Sequence, residues 1–395
     1  MAPLNVAFAQ IGADWQGGQT LVINGIQALH RARPDAVQAY ILGDASSETD
    51  AYRRATDADG IVRYTPPARA SVSRIAGAAL IRLRSYNLTL ERALLRSGVQ
   101  VLVGESVVWR LGKVASVGWL WDFQHLHLPE LFRADEVTRR ERKFKLTLRL
   151  ADRILATSSV ERDAHEFAPA YASKIRVVQP LSVIDPTVYE RNAGAVVDKY
   201  GLPQRFFYTP GQFWLHKNHR RLFEALRVLG CQGVRPHVVL TGSTLEYRDP
   251  EYFPSLMQYV AECQLDKQVH YLGTVQRADV LDLIRQSICV VNPSRFEGWG
   301  YAVDEAASVG KRILASDIAA HRDQSPPACE YFDADNADEL ADRLRNIWDT
   351  TEAGPDAELE SLARSRVASR VEAFGTALYA ALCEAVDARR GECVG

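Results

Sequence analysis

The first ten residues, Met1 to Gln10, have no basic segment followed by a long apolar run, so an export leader is not expected. Nowhere do about eighteen apolar residues run together without a charge, so a spanning helix is not expected and the expected location is the cytoplasm. Cysteine is missing from the first half. The six present (Cys231, Cys263, Cys289, Cys329, Cys383 and Cys393) include no Cys-x-x-Cys pair, which argues against a zinc ribbon or redox dithiol and for reduced, buried thiols. Without an export signal, Asn87-Leu88-Thr89 is a chance match to the glycosylation sequon. Low-complexity tracts and short repeats are absent, and with them solenoid architectures. Net charge is nearly absent as well, −2 over the chain, which speaks against nucleic acid as a partner.

What is present is a 395-residue chain, 47% hydrophobic and 24% charged, a composition that fills two globular cores rather than one. The charge is unevenly spread. Residues 1–190 hold 24 basic against 20 acidic side chains, and residues 191–395 hold 23 against 29. The basic excess gathers in Arg139, Arg140, Arg142, Lys143, Lys145, Arg149 and Arg153, and in Arg69, Arg74, Arg82 and Arg84. A solvated helix face is the first reading of it, and contact with an anionic membrane surface the second.

The chain opens as strand, loop and helix: Leu4–Ala9 is apolar, Gly12–Gly18 is a turn-rich loop, and Thr20–Ala32 repeats apolar residues at helical spacing. Further apolar runs at Val37–Leu42, Val99–Val103, Val114–Trp119, Ile154–Ala156 and Ile175–Val178 alternate with longer segments that hold helices. Runs without strict alternation imply a parallel sheet covered on both faces. The pattern weakens through Pro180 and Pro186, then restarts at Phe206-Phe207-Tyr208, with strands expected near 206–210, 236–241, 268–272, 288–292 and 312–315. Residues 337–387 read as helical throughout. The expected organisation is α/β, two Rossmann-like, doubly wound parallel-sheet domains facing across a cleft: 1–185, 186–370, and a C-terminal helix, 371–395, crossing back to the first. Ligands of such sheets bind beyond the carboxyl ends of the strands.

The most informative stretch runs from Val290 to Ala306 and reads strand, glycine loop, helix. Gly298 and Gly300 let backbone N–H groups approach an anion, and the following helix offers the positive end of its dipole. Two acids bracket that turn, Glu297 and Glu305. Eight helical positions span on the order of 12 Å, the reach from a sugar across a diphosphate to a ribose. Taken alone, Glu297 is equally a loop charge and Glu305 an acid favoured near a helix start. Gly298-x-Gly300 lacks the third glycine of a dinucleotide fingerprint, so NAD is not expected. A second stretch, Thr209 to Leu222, lies in the first βα loop of the second domain, where Lys217 is placed to meet a phosphate and stabilise charge on a leaving nucleotide.

Glu297 to Glu305 resembles the E-x7-E signature of the family four retaining glycosyltransferases, whose two-domain fold is called GT-B. His216-Lys217-Asn218-His219, Leu240-Thr241-Gly242, Tyr271-Leu272-Gly273-Thr274-Val275, and Ala151-Asp152-Arg153-Ile154 with Ser158 resemble that family at matching places. Trp15-Gln16-Gly17-Gly18 resembles its glycine loop, which implies that Gly17 and Gly18 meet the donor phosphates. The resemblance implies a nucleotide-diphosphate sugar held with Glu305 on the ribose, Thr274 and Val275 on the base, and Lys217 on the diphosphate. It places Glu297 on the sugar and the backbone of Gly298, Trp299, Gly300 and Tyr301 beside sugar and phosphates. The implied reaction is a front-face displacement without a covalent protein nucleophile, metal or other cofactor.

Two departures stand out. Gln212 occupies the place of a phosphate-binding arginine, for which Arg295 is a candidate substitute. Where many members have a His-Asp pair, this chain has Trp121-Asp122, and His125 is the candidate to act near the reacting sugar. His125-x-His127 with Asp122 falls short of a zinc ligand set. The acceptor is expected to be a glycan or lipid-linked glycan of a bacterial surface polysaccharide such as lipopolysaccharide. The competing readings are a nucleotide-sugar epimerase or hydrolase of the same fold and a non-catalytic nucleotide-sugar-binding subunit.

Overall fold

A computed structural model describes residues 2–12, 16–65 and 86–394, with the side chains of 16 and 392–394 left out. Trp15, Arg69, Arg74, Arg82 and Arg84 lie outside the described residues, as does the side chain of Cys393. The chain forms two compact units. The first comprises 1–123, 133–183 and 369–395, and the second 124–132 and 184–368.

The first unit is built on a seven-stranded parallel sheet of order β3-β2-β1-β4-β5-β6-β7. Its strands are β1 (Leu4–Ala9), β2 (Val37–Gly43), β3 (Gly60–Arg63), β4 (Val101–Gly104), β5 (Ala115–Trp119), β6 (Arg153–Ala156) and β7 (Ile175–Val177). The second is built on a six-stranded parallel sheet of order β10-β9-β8-β11-β12-β13. These are β8 (Phe207–Pro210), β9 (Val238–Thr241), β10 (Val269–Tyr271), β11 (Cys289–Asn292), β12 (Ile313–Ser316) and β13 (Cys329–Phe332). Every residue of β5, β9, β11 and β12 is buried, as expected where helices cover both faces of a sheet. In the second unit, one face packs Phe207, Val238, Leu240 and Val291 under the helices His219–Cys231 and Ala337–Thr350. The other face packs Tyr208, Val239, Val290 and Ile313 under Leu283, Ile284, Val303 and Ala306.

Three sequence readings change. Gly17 and Gly18 are not in a loop but in the first turn of the Gln16–Ala32 helix, where backbone N–H groups have no intrahelical partner and glycine costs little. The stretch 337–387 is not one helix: Ala337–Thr350 stops before Gly354-Pro355, and a new helix, Ala357–Val394, starts where Asp356 accepts from the backbone N–H groups of Glu358 (3.1 Å) and Leu359 (3.0 Å). The edge strands β3 and β13 carry no continuous apolar run and had no signal.

The last helix belongs to the first unit from Ser369 onward. There Gly375 lies so close to the Gln16–Ala32 helix that a Cβ would meet the Ala28 carbonyl oxygen at 2.2 Å. Arg389 meets the buried carboxylate of Asp152 at 2.7 Å.

Candidate active site

In the second sheet the strand order reverses between β8 and β11, which are hydrogen-bonded neighbours with Phe207 opposite Cys289. A doubly wound sheet leaves a crevice at the carboxyl ends of the two strands flanking such a reversal. The loop after β8 carries Lys217 and the loop after β11 carries Glu297, so topology alone makes them neighbours. One backbone hydrogen bond and the Asn218 side chain then stitch the loops together. The Arg295 N–H donates to the His216 carbonyl (2.8 Å), and the Asn218 amide donates to the carbonyls of Pro293 (3.0 Å) and Ala334 (2.9 Å). Asn218 sits in the left-handed region (φ 58°), ending the short 3₁₀ turn Leu215–Lys217 and opening the His219–Cys231 helix. Phe213 stacks on His219 beneath this turn, ring centroids 4.1 Å apart.

The Lys217 ammonium reaches Glu297 Oε1 at 2.7 Å, and the Ser294 hydroxyl approaches the same oxygen at 2.7 Å. That hydroxyl lies 2.5 Å from Asn292 Oδ1 as well, so its one proton serves either acceptor. Burial works to raise the Glu297 carboxyl, but Lys217 and the neighbouring imidazoles outweigh it and hold the group at about 2. Glu297 is therefore a carboxylate with one oxygen engaged by protein donors. Burial pulls His216 and His219 down to about 3, with the Lys217 charge acting the same way, so both are neutral. Behind Glu297, the Ser316 hydroxyl donates to the Ser294 carbonyl. His321 donates from Nδ1 to the Ser316 carbonyl (2.8 Å), and burial lowers its imidazole too.

Beyond Glu297 the chain turns through Gly298, Trp299 and Gly300. Gly300 has φ 89° and precedes the Tyr301–Ser308 helix. Its own carbonyl accepts from the N–H groups of Val303 (3.1 Å) and Asp304 (3.2 Å). Glu305 is buried inside this helix and forms an ion pair with Arg277. Burial raises the Glu305 carboxyl, and Arg277 opposes the rise. Glu297 and Glu305 thus each face a basic partner, Lys217 for one and Arg277 for the other. The turn lies between them in sequence and at the carboxyl edge of the sheet.

The loops after β9 and β10 close on the same edge. The Gly242 N–H donates to the Gly273 carbonyl (2.9 Å), and the Tyr271 hydroxyl donates to the Gly242 carbonyl (2.8 Å). Thr274 is exposed there and Val275 half-buried. Gln212 is half-buried in the loop after β8, next to Gly211. Arg295 pairs with Glu130 at 3.1 Å and lies 3.9 Å from Asp335, so its guanidinium already has acidic neighbours.

His125 is buried in the short Gln124–His127 helix, with its ring edge-on to Phe132 at 6.3 Å. That segment packs with the second unit: His127 lies 5.0 Å from the Phe296 ring, Glu130 pairs with Arg295, and Arg248 donates to the Gln124 amide oxygen (3.3 Å). Gly17 and Gly18 belong to the first unit, as do Trp121, stacked on Trp119, and Asp122, paired with Arg140 at 2.6 Å. Ser294, Arg277, Ser316, His321 and Gln324 escaped the sequence reading. Only Ser294, three residues before Glu297, lay inside a stretch already singled out. Among the described residues no group of three or more His, Cys, Asp or Glu side chains is arranged to hold a metal ion, and no helix is long and apolar enough to cross a membrane.

No curated protein matches the chain. Solved structures do. HepE of Anabaena, solved in complex with UDP and glucose, is 18% identical, covers 94% of this chain and 95% of its own, and superposes with a TM-score of 0.64. A glycosyltransferase from Rickettsia africae is 14% identical over 98% of this chain and 99% of its own, with a TM-score of 0.66. WaaG, a glycosyltransferase involved in lipopolysaccharide biosynthesis, is 16% identical over 97% and 98%, with a TM-score of 0.59. At such identities the likeness is one of fold, the GT-B plan of two parallel-sheet domains. Residues 198–358, which hold Lys217, the glycine turn, Glu297 and Glu305, match the family model of the glycosyl transferases group 1.

Proposed function

We propose that the chain is a retaining glycosyltransferase that moves a hexosyl group from a nucleotide-diphosphate sugar to a hydroxyl of a glycan or lipid-linked glycan. The observation that carries the reading is the Lys217–Glu297 pair at the β8/β11 reversal, beside a glycine turn, within the residues that match the group 1 family model. In this reading the base lies against Thr274 and Val275, and Glu305, oriented by Arg277, takes the ribose hydroxyls. The diphosphate lies over the backbone of Gly298 to Tyr301 with Lys217 beside it, and Gln212 and Arg295 border it. The second oxygen of Glu297 accepts from sugar hydroxyls. Gly17 and Gly18 meet the phosphates from a helix start, and His125 acts near the reacting sugar.

The bond from the anomeric carbon to the phosphate oxygen breaks, and the bond to the acceptor oxygen forms on the same face. The acceptor proton passes to the departing phosphate oxygen. No group of the protein is alkylated, and no metal or cofactor is required. Lys217 stabilises the negative charge that grows on the leaving diphosphate. UDP-glucose is the first donor to test, because HepE was solved with it. A bacterial surface polysaccharide is the proposed product class, with the enzyme on the cytoplasmic side. Exposed Arg139, Arg142 and Arg149 on the Ala134–Leu150 helix are the cations available to an anionic membrane surface.

Product analysis tests this. Nucleoside diphosphate released only when acceptor is present supports transfer, whereas release without acceptor identifies a hydrolase and sugar inversion without release an epimerase. The variant Glu297→Ala is expected still to bind the nucleotide part of the donor and to lose about 100-fold or more in turnover. A protein that binds donor and turns over none under any acceptor condition is a binding subunit, and the proposal fails.

A further inference from the structure

Gln324 ends the short Ala319–Gln324 helix that follows β12 and reaches back to the glycine turn. Its side-chain nitrogen donates to the carbonyls of both Trp299 and Gly300, the latter at 3.2 Å. The amide orientation is fixed by this pair, since the reverse would set an oxygen against two carbonyl oxygens. A trans peptide plane carries its C=O and its N–H on opposite sides. Pinning the carbonyls of residues 299 and 300 therefore turns the N–H groups of Gly300 and Tyr301 the other way. A Cβ at Gly300 would stand 3.3 Å from Gln324 and 3.4 Å from His321, so both side chains pack against the turn. Three atoms around the turn are buried without a hydrogen-bond partner: Trp299 Nε1, His321 Nε2 and Gln324 Oε1. His321 is fully buried, and its partnerless Nε2 faces Gly300.

We propose that Gln324 is a positioning residue for the diphosphate: by holding the Trp299 carbonyl down, it aims the Gly300 N–H at the anion, while the Gly300 carbonyl is also held by the first turn of the helix. This rests on the donor-site reading above and adds to it a residue that touches no part of the donor. A glutamine that only filled space would be replaceable by any side chain of its size.

The test compares the wild-type chain with Gln324→Met, which keeps the volume and loses the donor, with Gln324→Glu, which sets a carboxylate against the carbonyls, and with Gln324→Lys, which restores a donor. Calorimetry measures UDP, GDP, ADP and dTDP, ligand-observed NMR measures the matching nucleosides, and thermal melting checks folding. The expected result is that Gln324→Met weakens the preferred nucleoside diphosphate about tenfold, Gln324→Glu weakens it further, and Gln324→Lys recovers most of the loss. Affinity for the nucleoside alone stays within about twofold. Equal weakening of nucleoside and diphosphate, or wild-type affinity in Gln324→Met, overturns the proposal. If Gln324→Met does not fold, the Glu and Lys variants decide it between them, because equal diphosphate affinity in those two also overturns it. A wild-type chain that binds none of the four diphosphates sinks the donor-site reading itself, and this proposal with it.

Discussion

A buried carboxylate beside an ammonium is stable only while both are charged, and Glu297 is in that position. Its carboxyl is held at about 2 against an ordinary 4.5, with burial pushing up and Lys217 pulling down harder. A depressed carboxyl contributes its stability in full above 4.5 and loses it as pH falls towards 2. In Lys217→Met the same carboxylate stays buried without its partner, burial prevails, and acid relieves the variant by protonating it. The expected deficit of Lys217→Met is about 2 kcal/mol at pH 7, shrinking at pH 4. Urea unfolding at the two pH values measures it, and a gap that stays constant or widens on acidification contradicts the electrostatic account. At this scale Lys217, Glu297 and Glu305 were legible because each sits in a short stretch of chain with a chemical rationale. Gln324, Arg277 and His321 were not. They reach the site from the helices that follow β10 and β12, and nothing local distinguishes them from solvated side chains.

The elements that aim these residues depend on close backbone approaches. Gly242, at the end of β9, has φ 132°, and a Cβ there would meet the Gly211 carbonyl oxygen at 2.0 Å. No rotamer relieves a clash between backbone atoms, so Gly242→Ala must part the ends of β8 and β9. A loss of about 3 kcal/mol or more is expected in chemical unfolding, with the helices still formed by circular dichroism. A loss under about 1 kcal/mol means that the two strand ends are not held together as described. The interior strands were legible because burial on both faces leaves an unbroken apolar run, as in Val238–Thr241 and Ile313–Ser316. The edge strands Gly60–Arg63 and Cys329–Phe332 are half-exposed and mixed in character, so they gave no signal. The break at Gly354-Pro355 was in plain view but lay inside a helical pattern. The side chain of Asp356 starts the next helix only once the chain has bent.

At the scale of the whole molecule, two parallel sheets each reverse their strand order once, between β1 and β4 in the first and between β8 and β11 in the second. The last helix starts in the second unit and finishes in the first, where Arg389 neutralises Asp152, whose carboxylate accepts from the Ser116 N–H at 2.7 Å. The two units share a fold plan, yet the residues with a chemical rationale gather on the second. Binding should therefore appear as stabilisation of the folded chain by whichever nucleotide sugar fits the β8/β11 crevice. Thermal melting in the presence of UDP, GDP, ADP and dTDP sugars is the most direct measurement of that claim. One of them, at ~100 times its dissociation constant, is expected to raise the melting temperature by roughly 3 °C, and Lys217→Met is expected to abolish most of the shift. A chain whose melting none of the four moves, or whose shift survives the loss of Lys217 intact, contradicts the account.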